Sequence, residues 1–546
     1  FRIGKILSKV IKIYGGNFLN QALLRNRKYL YATEFFSGMS VMAVELGASR
    51  LLAPYFSSSQ IVWTIIIGTI MIAMALGNVY GGRLADKNSD PALLYRRIIF
   101  AALWIAAIPV LGKYFIIFLS GILIVAIDTN LLIWAAFLSC MVIFVIPLFW
   151  LGTVTPCLVK YATNNLEDNG KVVGNLGAFQ TIGSIIGTFL PTFVTIPAVG
   201  TAITFLVFSG ILFLIAAIYF ICTKSQKILV AVAAIIFIIC AIFGSSNSFA
   251  FWRNDLTYEG ESIYNYLQVY DTSRSTILST NVLFGVQSVK MKTDSLTGMY
   301  YDYALAAPVI ADKPNLKILI LGNGAGTFAA KCLKYFPNSQ ITGVEIDEKI
   351  TNLAKKYFAM PENISVTTYD GRAFLQADKN FYDVILVDAY QDITIPFQMS
   401  SIEFFQLVRQ HLNSGGVMVL NMNLRVQENG GINDYITNTV SEVFPDVRTI
   451  DADNATNKIL FAAPNENILN QLFNRADNFD GELSNLMKKI SANWQIQSRG
   501  KYILTDDNAP VELLGMKAID KIIQSQLKIY KEIYRKDGLD GLLKFL

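Results

Sequence analysis

Three acidic residues, Glu345, Asp370 and Asp388, each stand at the end of a short strand-like run in the second half of the chain. Acids at the C-terminal ends of successive strands point into the crevice where doubly wound sheets bind ligands. Ahead of them lies Gly322-Asn323-Gly324-Ala325-Gly326, which follows an apolar run and precedes a helical pattern opening at Thr327. Gly322, Gly324 and Gly326 let the backbone approach a ligand closely, and an acid some twenty residues further on takes ribose hydroxyls. The chemistry is that of an adenosine-containing cofactor. Glu345 would hold the ribose, Asp370, with Gly371, would lie by the adenine amino group, and Asp388 lies deeper, where the reacting carbon belongs. Each acid alone also reads as a helix cap. Three of them beside a glycine turn argue for a shared site.

The elements that position these residues follow from periodicity. Runs at 316–321, 340–346, 365–369, 382–387 and 416–421 read as strands buried on both faces. Residues 447–450 and 458–462 read as an antiparallel pair closing the set. Helices fall near 348–358, 371–377, 401–412 and 434–444. Short alternating strands at 266–270, 275–280 and 286–292 predict a small β subdomain ahead of the sheet.

The first half is different. The 546-residue chain is 53% hydrophobic and only 16% charged, with 36 Phe, too apolar for a soluble enzyme of this size. Apolar spans of bilayer length lie near 32–52, 61–81, 131–151, 174–197, 201–222 and 228–244. Residues 95–127 make either one long span or two short ones, for seven or eight in all. The organisation expected is a basic segment 1–29, a transmembrane domain 30–246, a small β subdomain 250–312, a nucleoside-binding domain 313–465 and a helical region 466–546. No signal-peptide cleavage pattern is evident, and a start at Phe1 reads as truncated. Seven spans place every Lys-rich turn inside and the soluble half outside. Eight place it in the cytoplasm, where an adenosyl cofactor is supplied. The cofactor argument is given the greater weight, so the expectation is a multi-pass cell-membrane protein with a cytoplasmic soluble half.

Glu45 and Arg50 fall inside an apolar span, where an ionised side chain costs about 2.5 kcal/mol or more unless paired. They read either as a substrate or proton site or as a structural ion pair. The five cysteines form no CxxC pair and read as small buried hydrophobes, and the single histidine, His411, excludes His-based triads. A net charge of +5 with basic residues at membrane edges gives no nucleic-acid signal, and no metal set is expected. Membrane lipid, a small amine or lipid substrate and a second copy of the chain are the expected partners.

The soluble half resembles the polyamine aminopropyltransferases, spermidine synthase among them, which share the methyltransferase-like fold. The matching pieces are Glu261-Ser262-Ile263-Tyr264, Leu283-Phe284-Gly285-Val286-Gln287, Tyr300-Tyr301-Asp302, the glycine turn, Val344-Glu345-Ile346-Asp347, Asp370-Gly371 and 382–388. The whole chain resembles the bacterial fused membrane and spermidine-synthase-like proteins. The stretch from Glu45 to Arg50, a loop at 81–86 like that of major facilitator transporters, and Thr505-Asp506-Asp507-Asn508-Ala509-Pro510-Val511-Glu512 add to that likeness. The implied fold is a transmembrane helical domain joined to a Rossmann-type α/β domain.

The implied reaction is attack of a neutral amine on the aminopropyl carbon of decarboxylated S-adenosylmethionine, with Asp388 as base and Tyr300 positioning the amine. Gln287, Tyr301, Asp302, Tyr390, Gln391 and Asp392 fall where the family binds substrate. Three departures stand out. Ala325 replaces the acid of the family's GGGDGG turn, Gln391 replaces a second amine-binding acid, and Asn265 stands for a glutamine. Each charged hydrogen bond so lost is worth about 1.5–3 kcal/mol. Alternatives are an S-adenosylmethionine-dependent methyltransferase acting on a membrane-delivered substrate, and a non-catalytic polyamine or nucleoside sensor or transporter.

Overall fold

The computed structural model describes residues 27–545 apart from 57, 89, 164–168, 246–248, 254, 282–285, 390–394, 423–428 and 454–455. The chain forms two compact units, divided between Phe251 and Trp252.

The first unit is helical. Helices α1 (Arg27–Phe56), α2 (Gln60–Lys87) and α3 (Pro91–Ala126) are followed by α4 (Leu131–Cys140), a π-helical turn Met141–Val145, α5 (Ile146–Gly152) and α6 (Val154–Ala162). Then come α7 (Asn169–Leu190), a second π-helical turn Pro191–Thr195, α8 (Ile196–Cys222) and α9 (Lys227–Gly244). Among the described residues, six helical segments are long and apolar enough to cross a membrane. One of them, Asn169–Cys222, has 54 residues, about 80 Å of helix and far more than one crossing needs. It turns back at Gly200, whose φ of 82° breaks the helix. The packing against α1 shows the reversal. Gly183 and Gly187 abut the backbone of Phe35 and Met39, so α7 runs parallel to α1. Ser40 Oγ donates to the Phe208 carbonyl (3.3 Å) and Tyr29 OH to that of Ile215 (2.7 Å), so α8 runs antiparallel. The segment at 95–127 is one continuous helix, with Pro109 inside it. The small-residue face of α7 is thus a close-packing face.

Glu45 and Arg50 are both half-buried on α1. The carboxylate fully enclosed on that helix is Glu34, 1% exposed, which accepts a hydrogen bond from Thr155 Oγ1 at 2.5 Å.

The second unit opens with an antiparallel sheet, β1 (Leu256–Glu261), β2 (Tyr266–Asp271), β3 (Ser275–Ser279) and β4 (Ser288–Met291), paired in chain order. Its first strand is one that periodicity missed. Two short helices, α10 (Tyr300–Ala304) and α11 (Ala306–Ala311), lead into the main sheet. There β5 (Lys317–Leu321), α12 (Thr327–Tyr335), β6 (Gln340–Glu345), α13 (Glu348–Tyr357), β7 (Ser365–Thr368), α14 (Gly371–Ala377), β8 (Tyr382–Val387), α15 (Ile402–Gln410) and β9 (Leu412–Met422) alternate. After α16 (Ile432–Val443) the chain adds the hairpin β10 (Asp446–Asp451) and β11 (Lys458–Ala463). Then come α17 (Gln471–Arg475), α18 (Gly481–Asn493), a two-residue strand β12 (Gln495–Ile496) and the long α19 (Val511–Phe545).

The sheet order is β12-β10-β11-β9-β8-β5-β6-β7, with β9 to β7 parallel and the remainder antiparallel. Chain order therefore reverses between β5 and β8, which is where a doubly wound sheet opens a ligand crevice. All residues of β8 are buried, as are Ile318–Leu321 of β5, because helices cover both faces.

Candidate active site

The glycine turn forms because its neighbours leave no alternative. Gly322, Gly324 and Gly326 have φ of 91°, 53° and 78°, left-handed values that other residues adopt at a cost. A Cβ on Gly322 would sit 2.4 Å from the Asp388 carbonyl oxygen, so the turn can lie against the end of β8 only with glycine there. The N–H groups of Gly322 and Asn323 both reach the Val344 carbonyl, at 2.9 and 3.0 Å. This turn lines a cavity of about 260 Å³ at the β5–β8 switch point. Tyr264, Asn265, Gln287, Ser288, Tyr301, Gly322, Gly324, Glu345, Asp370, Gly371 and Asp388 all contribute to its walls.

Glu345 ends β6 and is 7% exposed. Its Oε2 accepts the Gly324 N–H (2.9 Å) and its Oε1 the Asp347 N–H (3.1 Å). Burial raises its pKa to about 7 against the pull of those two donors. The carboxylate pins the turn and keeps spare lone pairs toward the cavity. Asp370 caps α14, accepting from the Ala373 N–H at 2.9 Å, so the helix-cap role and the wall position coincide.

Asp388 follows β8 and is held from two sides. Tyr300 OH donates to Oδ2, and Asn421 Nδ2 donates to Oδ1 at 2.8 Å. Asn457 Nδ2 in turn donates to Asn421 Oδ1 at 2.9 Å. Burial raises the Asp388 pKa to about 7, the two hydrogen bonds oppose that rise, and the Glu345 charge adds to it. A carboxyl that titrates near neutrality suits general-base work. Burial, and then the charge of Asp388, push the Tyr300 hydroxyl well above the usual phenol range, so Tyr300 stays a neutral donor.

The other expected residues divide. Tyr301 lines the cavity and its hydroxyl donates to the Gln287 carbonyl (2.6 Å), which fixes Gln287 on the wall. Tyr300 is 5% exposed and works from behind the wall through Asp388. Asp302, expected at the substrate, is not on the cavity wall. It is 1% exposed, pairs with Lys331 at 3.3 Å, and accepts from Thr297 Oγ1 (2.8 Å) and Gly298 N–H (2.7 Å). Residues 300–302 are in a helix, where one step from Tyr301 turns the side chain by about 100°, off the wall. Gly326 starts α12 and is off the cavity wall. Tyr390, Gln391 and Asp392 lie outside the described residues, as do 283–285.

Ala325 is 2% exposed, part of the hydrophobic core, and absent from the cavity wall. Its N–H donates to Ser288 Oγ at 2.9 Å. Asn421 and Asn457 are polar contributors that the sequence reading passed over. Asn421 was detectable, because it stands near the end of the strand neighbouring β8. Asn457 depends on the β10–β11 hairpin, and no local pattern marks it.

A Rossmann-type α/β unit with a glycine turn and buried strand-end acids at the switch point is the arrangement in which doubly wound sheets bind nucleoside cofactors. Comparisons with known proteins narrow that reading. The family model described as spermine/spermidine synthase domain matches residues 299–452. A probable polyamine aminopropyl transferase from Bifidobacterium longum is 50% identical over 347 residues, covering 60% of this chain and 77% of that protein. A polyamine aminopropyltransferase from Vibrio vulnificus is 26% identical over 287 residues, 49% of this chain and 93% of that one. Among solved structures, a probable spermidine synthase from Corynebacterium glutamicum aligns at a TM-score of 0.35 with 19% identity, over 45% of this chain and 96% of that one. The chain belongs to the polyamine aminopropyltransferase family of enzymes.

Proposed function

We propose that the second unit transfers an aminopropyl group from decarboxylated S-adenosylmethionine to an amine, and that the first unit anchors it in a membrane. The observation that carries the reading is Asp388, a buried carboxyl near neutrality, held by Tyr300 and Asn421 beside the glycine turn. Glu345 binds the ribose hydroxyls and Asp370 lies at the base. Asp388 takes a proton from the acceptor's ammonium. The freed nitrogen lone pair forms a C–N bond to the aminopropyl carbon, the C–S bond breaks, and its electron pair leaves with neutral methylthioadenosine. Buried walls around Asp388 exclude water and so keep the base poised.

The test uses the full chain in detergent with decarboxylated S-adenosylmethionine and putrescine. Methylthioadenosine release together with spermidine is the expected result. Preferential binding of intact S-adenosylmethionine would transfer the reading to methyl transfer, and binding of neither donor would defeat it.

One observation favours a second reading, ligand binding without turnover. Seven crossings, with α7 and α8 counted separately, place Lys160, Lys171, Lys224 and Lys227 on the same side as Arg83, Arg96 and Arg97. The second unit then follows on the opposite, extracytoplasmic side, against the cytoplasmic expectation and away from a ready supply of adenosyl donor. Protease accessibility in oriented vesicles decides between the two sides.

A further inference from the structure

The stretch from Thr505 to Glu512 has no place in the cavity wall, yet it holds that wall in position. Thr505 and Asn508 close a tight turn through two backbone hydrogen bonds, Thr505 N–H to the Asn508 carbonyl at 3.2 Å and Asn508 N–H to the Thr505 carbonyl at 3.0 Å. At the turn's tip, the carboxylate of Asp506 receives both terminal nitrogens of Arg372, each at 2.6 Å, and Ser401 Oγ at 2.5 Å. The Asp506 N–H donates to Glu403 Oε2 at 3.0 Å, and the Ile402 N–H to the Leu504 carbonyl at 2.9 Å.

Arg372 is the residue after Asp370-Gly371, and its Nη1 also donates to the Gln398 carbonyl at 2.9 Å. Asp370, Gly371, Gln398 and Met399 all line the cavity. The two stretches touch, since a Cβ on Gly371 would lie 3.2 Å from Met399 Cε. One guanidinium therefore joins two pieces of one wall, and its plane is set by a carboxylate 134 residues away in sequence. A bidentate carboxylate fixes a guanidinium's orientation in a way that a single carbonyl does not.

We infer that Asp506 is a positioning residue for the adenine end of the bound nucleoside, acting through Arg372 on Gln398 and on the Asp370–Gly371 turn. This rests on the reading that the cavity holds an S-adenosyl ligand. Asp506 itself touches no ligand, so its loss acts on binding of the base and leaves the reacting end, at Asp388, in place.

The experiment is calorimetric titration of the full-length protein in detergent with methylthioadenosine, for wild type, Asp506→Asn, Asp506→Ala, Arg372→Lys and the double variant Asp506→Ala/Arg372→Lys. Steady-state kcat and KM for the donor are measured alongside, with melting temperature as the folding control. The expected result is a Kd and a donor KM raised roughly 5- to 20-fold by Asp506→Ala, a fraction of one charge-assisted contact because the effect is relayed through Arg372, with kcat within about threefold of wild type. The double variant is no worse than the weaker single one, as for residues that act as one unit. Asp506→Asn keeps the shape and tests the same point if the alanine variant fails to fold. Wild-type binding with an unchanged Kd in a folded Asp506 variant overturns the inference and leaves the functional reading standing. A fall in melting temperature alone overturns it as well. Absence of wild-type binding overturns the functional reading, and the inference with it.

Discussion

Replacing Asn421 with alanine isolates the device that sets the base. Asn421 Nδ2 donates to Asp388 Oδ1 at 2.8 Å and stabilises the ionised form of a carboxyl that burial raises to about 7. A hydrogen bond to a charged group is worth about 1.5–3 kcal/mol, which at 1.36 kcal/mol per unit is about 1–2 pH units. Asp388 is close to half ionised at pH 7 in the wild type. In the variant that fraction falls to about a tenth or a hundredth, and kcat/KM at pH 7 drops roughly 5- to 50-fold. The deficit shrinks as pH rises, because the variant's carboxyl ionises at higher pH and is then no weaker a base. The assay is methylthioadenosine release from pH 6 to 9.5, expressed as the ratio of variant to wild type, so that the acceptor amine's own titration cancels. A ratio that stays flat across this range would show that Asn421 does not act on the titration of Asp388. The reasoning would then fail even if the variant were slow.

Two further outcomes follow from the same geometry. Asp388→Asn abolishes turnover by about 10²–10⁴-fold if proton removal is its task. It also stabilises the fold at pH 8: the native carboxyl titrates near 7 against about 3.9 unfolded, so the folded state binds more protons and stability falls as pH rises between those values. Denaturant titration should show a gain on the order of 2–4 kcal/mol at pH 8 that closes toward pH 4, and a gain independent of pH would refute this account. Asp302→Asn breaks the enclosed pair with Lys331 and costs on the order of 3 kcal/mol of stability. It leaves KM for the amine unchanged, and a selective rise in that KM would return Asp302 to the substrate site.

The rule that acids close strands at a ligand crevice placed Glu345, Asp370 and Asp388 on one cavity from sequence alone, because a parallel strand fixes which end faces the crevice. The same rule reaches Asn421, which a search for charge overlooked. Asp302 lies off the cavity wall for a local reason. Its neighbour Tyr301 does reach the wall, but one helical step, about 100°, takes position 302 off it. Arg372 and Asp506 were out of reach, since a pair separated by 134 residues leaves no periodic trace. In the helical unit, length and hydropathy marked the long apolar helices and separated 174–197 from 201–222, and the break between them is the positive-φ Gly200. Hydropathy also drew attention to Glu45 and Arg50, while the fully enclosed carboxylate is Glu34.

The contact between Ala325 and Ser288 bears on what the glycine turn can hold at that position. A sequence comparison counts position 325 as one acid replaced by alanine. In the fold, the Ala325 N–H is tied to Ser288 Oγ, and a Cβ on the adjacent Gly324 would come within 2.8 Å of that same oxygen. The small sheet's last strand thus occupies the outer side of the turn. An aspartate at 325 would enter a site that is core, where an unpaired carboxylate is costly. An acid at 325 therefore asks for a change in its surroundings as well.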